Sequence, residues 1–143
     1  CWLKHTSNRL NKMTDAIHRL KAEVIKNFGT PCLVIDLDVV ERNIQRAQNL
    51  CDAAGVANRP HIKTHKSPLL AKMQIEAGAC GITCQKLGEA EVMADAGITD
   101  IIVATNLLGA ARSGRLAALQ RRLALKVCAD NPVVLDAYSQ EIY

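Results

Sequence analysis

The sequence predicts an α/β fold in which strand–helix units repeat around a parallel sheet. Three observations lead there. Short apolar runs rich in β-branched residues begin at 33, 59, 81, 100 and 124, and each is followed by a stretch with helical spacing. Glycines or N-cap residues punctuate those stretches. Apolar residues make up 49% of the 143 residues, enough for one packed core.

The first run, "LVIDL" from 33, leads into "DVVERNIQRAQNLCDAAG". There Val40, Ile44, Ala47 and Leu50 share one helical face, and Gly55 suits a stop. The second run, "RPHIKT", precedes "SPLLAKMQIEAG", with Ser67 as N-cap, Pro68 at the first helical position and Gly78 at the end. The third, "GITCQ", precedes "LGEAEVMADAG", closed by Gly97. The fourth, "DIIVAT", precedes "SGRLAALQRRL". The fifth, "ALKVCAD", precedes "NPVVLDAYSQEIY", capped by Asn131 with Pro132 next. One helix after each strand, with right-handed crossovers, leaves a closed barrel or an open doubly wound sheet. A complete eight-unit barrel takes about 250 residues. On the barrel reading this chain holds the first five or so units of a longer protein. Leu33, Ile35, Ile82 and Val103, or their neighbours, are then the interior positions.

Residues 1–28 read as an N-terminal extension and leading helix, with Met13 as a natural start, and 29–143 as the partial (β/α) barrel. The net charge of +4 is interspersed and aromatics are only 3%, so no nucleic-acid partner is expected. No apolar run approaches a membrane span, and no signal peptide is visible. The six cysteines, at 1, 32, 51, 80, 84 and 128, are irregularly spaced and several lie in apolar runs. Free thiols in a reducing, cytoplasmic compartment are the expectation.

Chemistry concentrates in "RPHIKTHKS", residues 59–67. On a strand, Arg59, His61 and Lys63 share one face and Ile62 the other. Ile62 then packs outward under the helices, and Lys63 faces inward near the C-terminal end, where parallel α/β folds carry their sites. A lysine there is either a nucleophile toward aldehydes or the partner of a carboxylate. His61 and His65 do not share a defined face, nor do Cys80 and Cys84 suit a metal, so no metal ligands are assigned. Lys66 and Lys86 follow strands and could meet an anion or simply be solvated. Asp36 is an inward polar group or a strand end, and Glu89 and Glu91 are expected to face solvent.

"TPCLVIDLDVVERNI", "RPHIKTHKS" and "AGACGITCQKLGEAEVMADAGITDIIVATNLLG", in that order and spacing over about residues 29–136, resemble the D-threonine aldolase and D-serine dehydratase group. The resemblance implies an alanine-racemase-like (fold-type III) barrel that binds pyridoxal 5'-phosphate. It implies that Lys63 forms the lysine aldimine, with His61 beside the cofactor. It implies a lyase acting on D-3-hydroxy amino acids, by aldolase or dehydratase chemistry, and a homodimer at full length. It further implies a divalent metal, zinc or manganese, whose ligands belong to a C-terminal region not in this chain, together with a C-terminal β-domain. A non-catalytic pyridoxal-phosphate-binding barrel and an amino-acid racemase of the same fold are the alternatives. The chain alone is expected to be inactive.

Overall fold

The computed structural model describes the backbone of residues 2–142 and the side chains of residues 15–109 and 111–140. The chain divides into two compact units, Cys1–Asp36 and Leu37–Tyr143.

The first unit is dominated by one helix, α1 (Trp2–Phe28). It begins well before Met13, in a stretch without apolar periodicity. The reason is the absence of any breaker: no proline or glycine occurs before Gly29, which takes φ +76° and ends the helix. Ile17, Leu20, Val24 and Ile25 of α1, with Thr30, Cys32 and Val34, line an apolar cleft of about 280 Å³. Residues 32–36 form no strand, contrary to the reading of "LVIDL". A strand exists only where a neighbour pairs with it, and no described strand does so here. Leu33 and Ile35 are accordingly exposed rather than interior.

The second unit holds the sheet. Its elements are α2 (Leu37–Ala53), a 3-10 turn (Ile62–Thr64), α3 (Pro68–Glu76), β1 (Ile82–Cys84), α4 (Leu87–Asp95), β2 (Asp100–Val103), α5 (Ala110–Gln120), β3 (Ala124–Val127) and α6 (Pro132–Ile142). The strands lie in the order β1-β2-β3, all parallel. Alternating strands and helices of this kind make an α/β fold with a parallel sheet. The expected caps are present: Ser67 Oγ accepts the Leu70 N–H at 3.4 Å, and Asn131 Oδ1 accepts that of Val134 at 3.2 Å.

Register decides which face is buried. Ile82 and Cys84 of β1 lie level with Ile101 and Val103 of β2, and the latter pair lies level with Leu125 and Val127 of β3. All six belong to the core or pack against it, together with Leu87, Ala90 and Met93 of α4, Leu116 and Leu119 of α5, and Val134 and Tyr138 of α6. Each large aliphatic side chain fully buried here contributes about 1.5–3 kcal/mol. Tyr138 also ties α6 to two loops. Its hydroxyl accepts the Leu107 N–H at 2.9 Å and donates to the Cys128 carbonyl at 3.2 Å. Ile82 and Val103 are therefore helix-facing, and of the two parities left open it is their neighbours that face away from the helices. Their neighbours Thr83 and Ile102, with Asp100, Ala124 and Lys126, form the opposite, inner face.

No disulfide links the described cysteines, at 32, 51, 80, 84 and 128. Cys84 is fully buried. Burial, helped by the charge of Glu89, pushes its thiol up to about 12, so it carries almost no thiolate at neutral pH. Without reductant, alkylation of native protein should label exposed Cys32, Cys80 and Cys128 readily and Cys84 hardly at all. Denaturation should then expose every thiol, counted by mass. A defined intramolecular pair in fresh protein would contradict this.

Candidate active site at the lysine turn

The 59–64 stretch runs alongside β1 as far as His61 and then leaves the sheet. The Asn58 carbonyl accepts the Cys80 N–H at 2.9 Å, the Pro60 carbonyl accepts that of Thr83 at 2.8 Å, and His61 forms an isolated parallel bridge with Thr83. Beyond His61 the backbone turns into the 3-10 helix instead of continuing as the expected strand. Two local interactions favour the turn. His61 Nδ1 accepts the Lys63 N–H at 3.2 Å, a side-chain bond that competes with the ladder. The Ile62 carbonyl accepts the N–H groups of His65 (3.2 Å) and Lys66 (2.8 Å). Ile62 itself is fully buried against the core, as its alternation predicts. Lys66 takes the left-handed φ of +51°, which completes the turn before Ser67 starts α3.

The two histidines repeat one device. His65 Nδ1 accepts the Ser67 N–H at 3.0 Å, as His61 Nδ1 accepts that of Lys63. Each ring nitrogen Nδ1 is then an acceptor, which places the proton on Nε2. His61 Nε2 meets Gln85 Oε1 at 3.3 Å. His65 Nε2 is buried near Gln74 without a bond of good geometry. Burial, only partly opposed by Gln74, lowers the His65 pKa and keeps the ring neutral. Neither ring is aimed at a shared metal position. No group of three or more His, Cys, Asp or Glu side chains converges among the described residues.

The five basic residues of the segment thus go to different places. Arg59 lies at the N-terminal end of the inner face. Its Nη1 donates to Asp100 Oδ1 at 2.7 Å, and Lys126 Nζ reaches the same oxygen at 2.7 Å. Gly81 makes room for this: a Cβ there would sit 2.2 Å from Arg59 Nη1 and 2.6 Å from the Asp100 carbonyl oxygen. Lys66 reaches Glu89 at 3.6 Å. Lys63 is exposed at the opposite, C-terminal end, beyond His61, and no carboxylate lies within ion-pair distance of its amine among the described residues. It is not buried at a desolvation cost, as an inward strand position would require.

Two further residues belong here. Glu89 does not face solvent: its Oε2 accepts the N–H groups of Gln85 (2.9 Å) and Lys86 (3.3 Å) and so caps α4. Burial pushes its carboxyl up, but those two N–H groups and the Lys66 ammonium outweigh it and hold it below the ordinary value. Gln85 follows β1 with the same parity as Thr83, and that alternation is the signal by which the sequence marks it as inner-facing. It lines a cavity of about 470 Å³ with Lys86, Leu87, Gly88, Thr105, Asn106, Leu107, Arg112 and Arg115.

A lysine amine that is accessible and, among the described residues, without an ion-pair partner, on a turn fixed by a buried isoleucine, suits a covalently held carbonyl compound. The comparisons point the same way. The family model for the alanine racemase N-terminal domain matches residues 35–142. The chain belongs to that family. The alanine racemase N-terminal fold accounts for the parallel sheet with a helix after each strand. Within it the chain is 42% identical over 116 residues to a D-threonine aldolase of Arthrobacter sp., covering 81% of this chain and 31% of the relative. The crystal structure of D-threonine aldolase from Filomicrobium marinum superposes with a TM-score of 0.77 at 40% identity, covering 79% of this chain and 31% of that one. D-threo-3-hydroxyaspartate dehydratase from Delftia sp. HT23 superposes with a TM-score of 0.74 at 43% identity, covering 80% and 30%. The chain therefore spans a little under a third of the length of these relatives.

Arg59→Met should lower stability by about 1 kcal/mol, since the pair is partly solvated. The Arg59 hydrogen bond, with Lys126, depresses the Asp100 pKa below its ordinary 3.8. The advantage of wild type should be complete above that ordinary value and vanish as pH falls through the depressed one. Paired denaturant melts across that range test this; a difference that grows on acidification would refute it.

Proposed function

We propose that this chain is the lysine-bearing N-terminal part of a pyridoxal-phosphate-dependent lyase acting on D-3-hydroxy amino acids, of the D-threonine aldolase or hydroxyaspartate dehydratase type. The observation that carries the reading is the position of Lys63: exposed, unpaired, and held on a turn at the C-terminal end of the inner sheet face.

The residues present fit the cofactor. Lys63 Nζ is the amine that would hold it, and His61, fixed through both ring nitrogens, is the second assigned contact. When bound, pyridoxal phosphate supplies an electron sink for bonds at the substrate's α-carbon. Lys63 does the rest of what this chain can do. When not covalently engaged, its Nζ would be a base able to take up a proton and later return it. The turn holds the Lys63 backbone, because His61 Nδ1 accepts its N–H and the Ile62 carbonyl accepts the N–H groups of His65 and Lys66.

The remaining parts of the reading rest on relatedness and fold. We read residues 29–143 as the opening units of a (β/α) barrel, with 1–28 as a leading segment. The whole protein is read as a cytoplasmic homodimer with a D-amino acid substrate and neither nucleic acid nor membrane as partner. No described helix is long and apolar enough to cross a membrane. The ligands of a zinc or manganese ion are read as belonging to a C-terminal region of the whole protein.

Protein incubated with pyridoxal phosphate should show a visible absorbance band that borohydride removes, leaving a stable adduct on the peptide containing Lys63. Lys63→Ala should lose band and adduct, and in the whole enzyme should lose nearly all D-threonine cleavage or D-serine dehydration. An adduct mapped to Lys66 or Lys86 in wild type, or an undiminished band in the variant, would overturn the assignment.

A further inference from the structure

His65 is a half-buried histidine to which the lysine chemistry gives no part, and its ring is costly where it stands. Its Nε2 and the Oε1 of Gln74 on α3 are both sealed from solvent, and neither makes a hydrogen bond. An apolar side chain of similar size would fill the same space without stranding two polar atoms. What the imidazole adds is the lone pair of Nδ1, which accepts the Ser67 N–H at 3.0 Å.

That bond falls at a joint. Ser67 is the N-cap of α3, so its N–H has no partner within the helix. In a capping box a glutamate or glutamine at the third helical position supplies one. Leu70 stands there and cannot, and His65 serves from the other side. The N–H of His65 is itself bonded to the Ile62 carbonyl at 3.2 Å. His65 thus spans the joint between the lysine turn and α3. Between its two bonds lies Lys66, at a left-handed φ of +51° that side chains rarely adopt. The Ile62 carbonyl holds that conformation from the N-terminal side, and the His65–Ser67 bond from the C-terminal side.

We propose that His65 is a positioning residue for Lys63: its neutral ring latches the lysine turn to α3, and protonation of Nδ1 opens the latch. The inference rests on the reading of Lys63 as the reactive amine and adds a proton-linked control of its presentation. A protonated Nδ1 carries hydrogen and cannot accept the Ser67 N–H. Burial acts on the ring's proton, opposed in part by Gln74, and the pKa is lowered from the ordinary 6.5. Of the charged side chains around the turn, Lys63 is exposed and Lys66 pairs with Glu89 of α4. The Glu89 carboxyl is held below its ordinary 4.5 and stays ionised while His65 titrates. His61, the other titratable ring, meets the Lys63 N–H and Gln85. The latch is therefore complete above pH 6.5 and weakens as pH falls from there through the lowered value.

The test is amide hydrogen exchange in the full chain, from above pH 6.5 down to 4.5, expressed as protection over the unstructured rate. Ser67 reports the latch, Lys63 the separate His61 bond, and Thr83, bonded to the Pro60 carbonyl, the fold. In wild type, Ser67 protection should be level above 6.5 and fall below it by up to about tenfold per pH unit, while Thr83 holds. In His65→Asn an amide oxygen stands in for Nδ1 but does not titrate, so protection should persist and its pH dependence vanish. His65→Leu keeps the packing without the acceptor, so Ser67 should exchange fast at every pH with Thr83 still protected. Borohydride-fixed pyridoxal phosphate adducts, read as Lys63 over exposed Lys72, should fall up to about tenfold in His65→Leu, the effect of losing one hydrogen bond, and recover in His65→Asn. A pH dependence that survives in His65→Asn would overturn the proposal. So would undiminished Ser67 protection, or an unchanged Lys63 share, in His65→Leu. If His65→Leu loses Thr83 protection, the comparison of wild type with His65→Asn decides alone. A wild-type Lys63 adduct that never forms, with the Ser67 titration intact, would refute the reading of Lys63 while the latch stood.

Discussion

Burial of one side chain, Ile62, governs the geometry of the site. It belongs to the same core as β1 and β2 and the helices that cover them. Its carbonyl, on the other side, holds the two amides that close the turn. A residue pinned by its side chain and used through its backbone transmits the rigidity of the core to its neighbours. The side chain of Lys63, the next residue, has no ion-pair partner among the described residues. Its placement follows from Ile62, from the His61 contact that pulls the chain out of the sheet, and from the left-handed Lys66 that directs it into α3.

The inner face separates its charges by function. At the N-terminal end, Arg59, Asp100 and Lys126 satisfy one another, and Gly81 leaves the room they need. That cluster holds the strands in register. At the C-terminal end the positive groups of Lys63, Lys86 and Arg112 have no carboxylate partner among the described residues. Unneutralised charge at the rim of a parallel sheet is where a ligand can supply the missing half. Glu89 lies between the two roles. It closes α4 and restrains Lys66, so that neither the helix terminus nor that lysine competes for a ligand.

Much of this was legible in the sequence, for identifiable reasons. Alternation placed Ile62 under the helices and Arg59 and His61 on the other face, because the pleat leaves no choice once one side is buried. Ser67-Pro68 and Asn131-Pro132 announced helix starts through local chemistry alone. "LVIDL" misled because β-branched residues favour an extended chain but cannot create a neighbour to pair with. The parity of Ile82 and Val103 stayed open between them and their neighbours because a strand buried on one face reads much like one buried on both. The strand through Lys63 was cut short by a histidine-to-backbone bond, which no periodicity reveals. Glu89 appeared solvent-facing because its value lies in reaching back over the turn to two amides, a matter of rotamer and not of spacing.

The central claim is that Ile62 clamps the turn that presents Lys63. Hydrogen exchange at two amides addresses it directly: Lys66, bonded to the Ile62 carbonyl, and Thr83, bonded to the Pro60 carbonyl. In wild type both should exchange slowly, as members of the core rather than of a surface loop. Ile62→Ala should cost about 2–5 kcal/mol and should accelerate Lys66 well beyond amides of the α5–β3 region. Fast exchange of Lys66 in the wild-type protein, or an unchanged rate in Ile62→Ala, would show that the turn is held by something else.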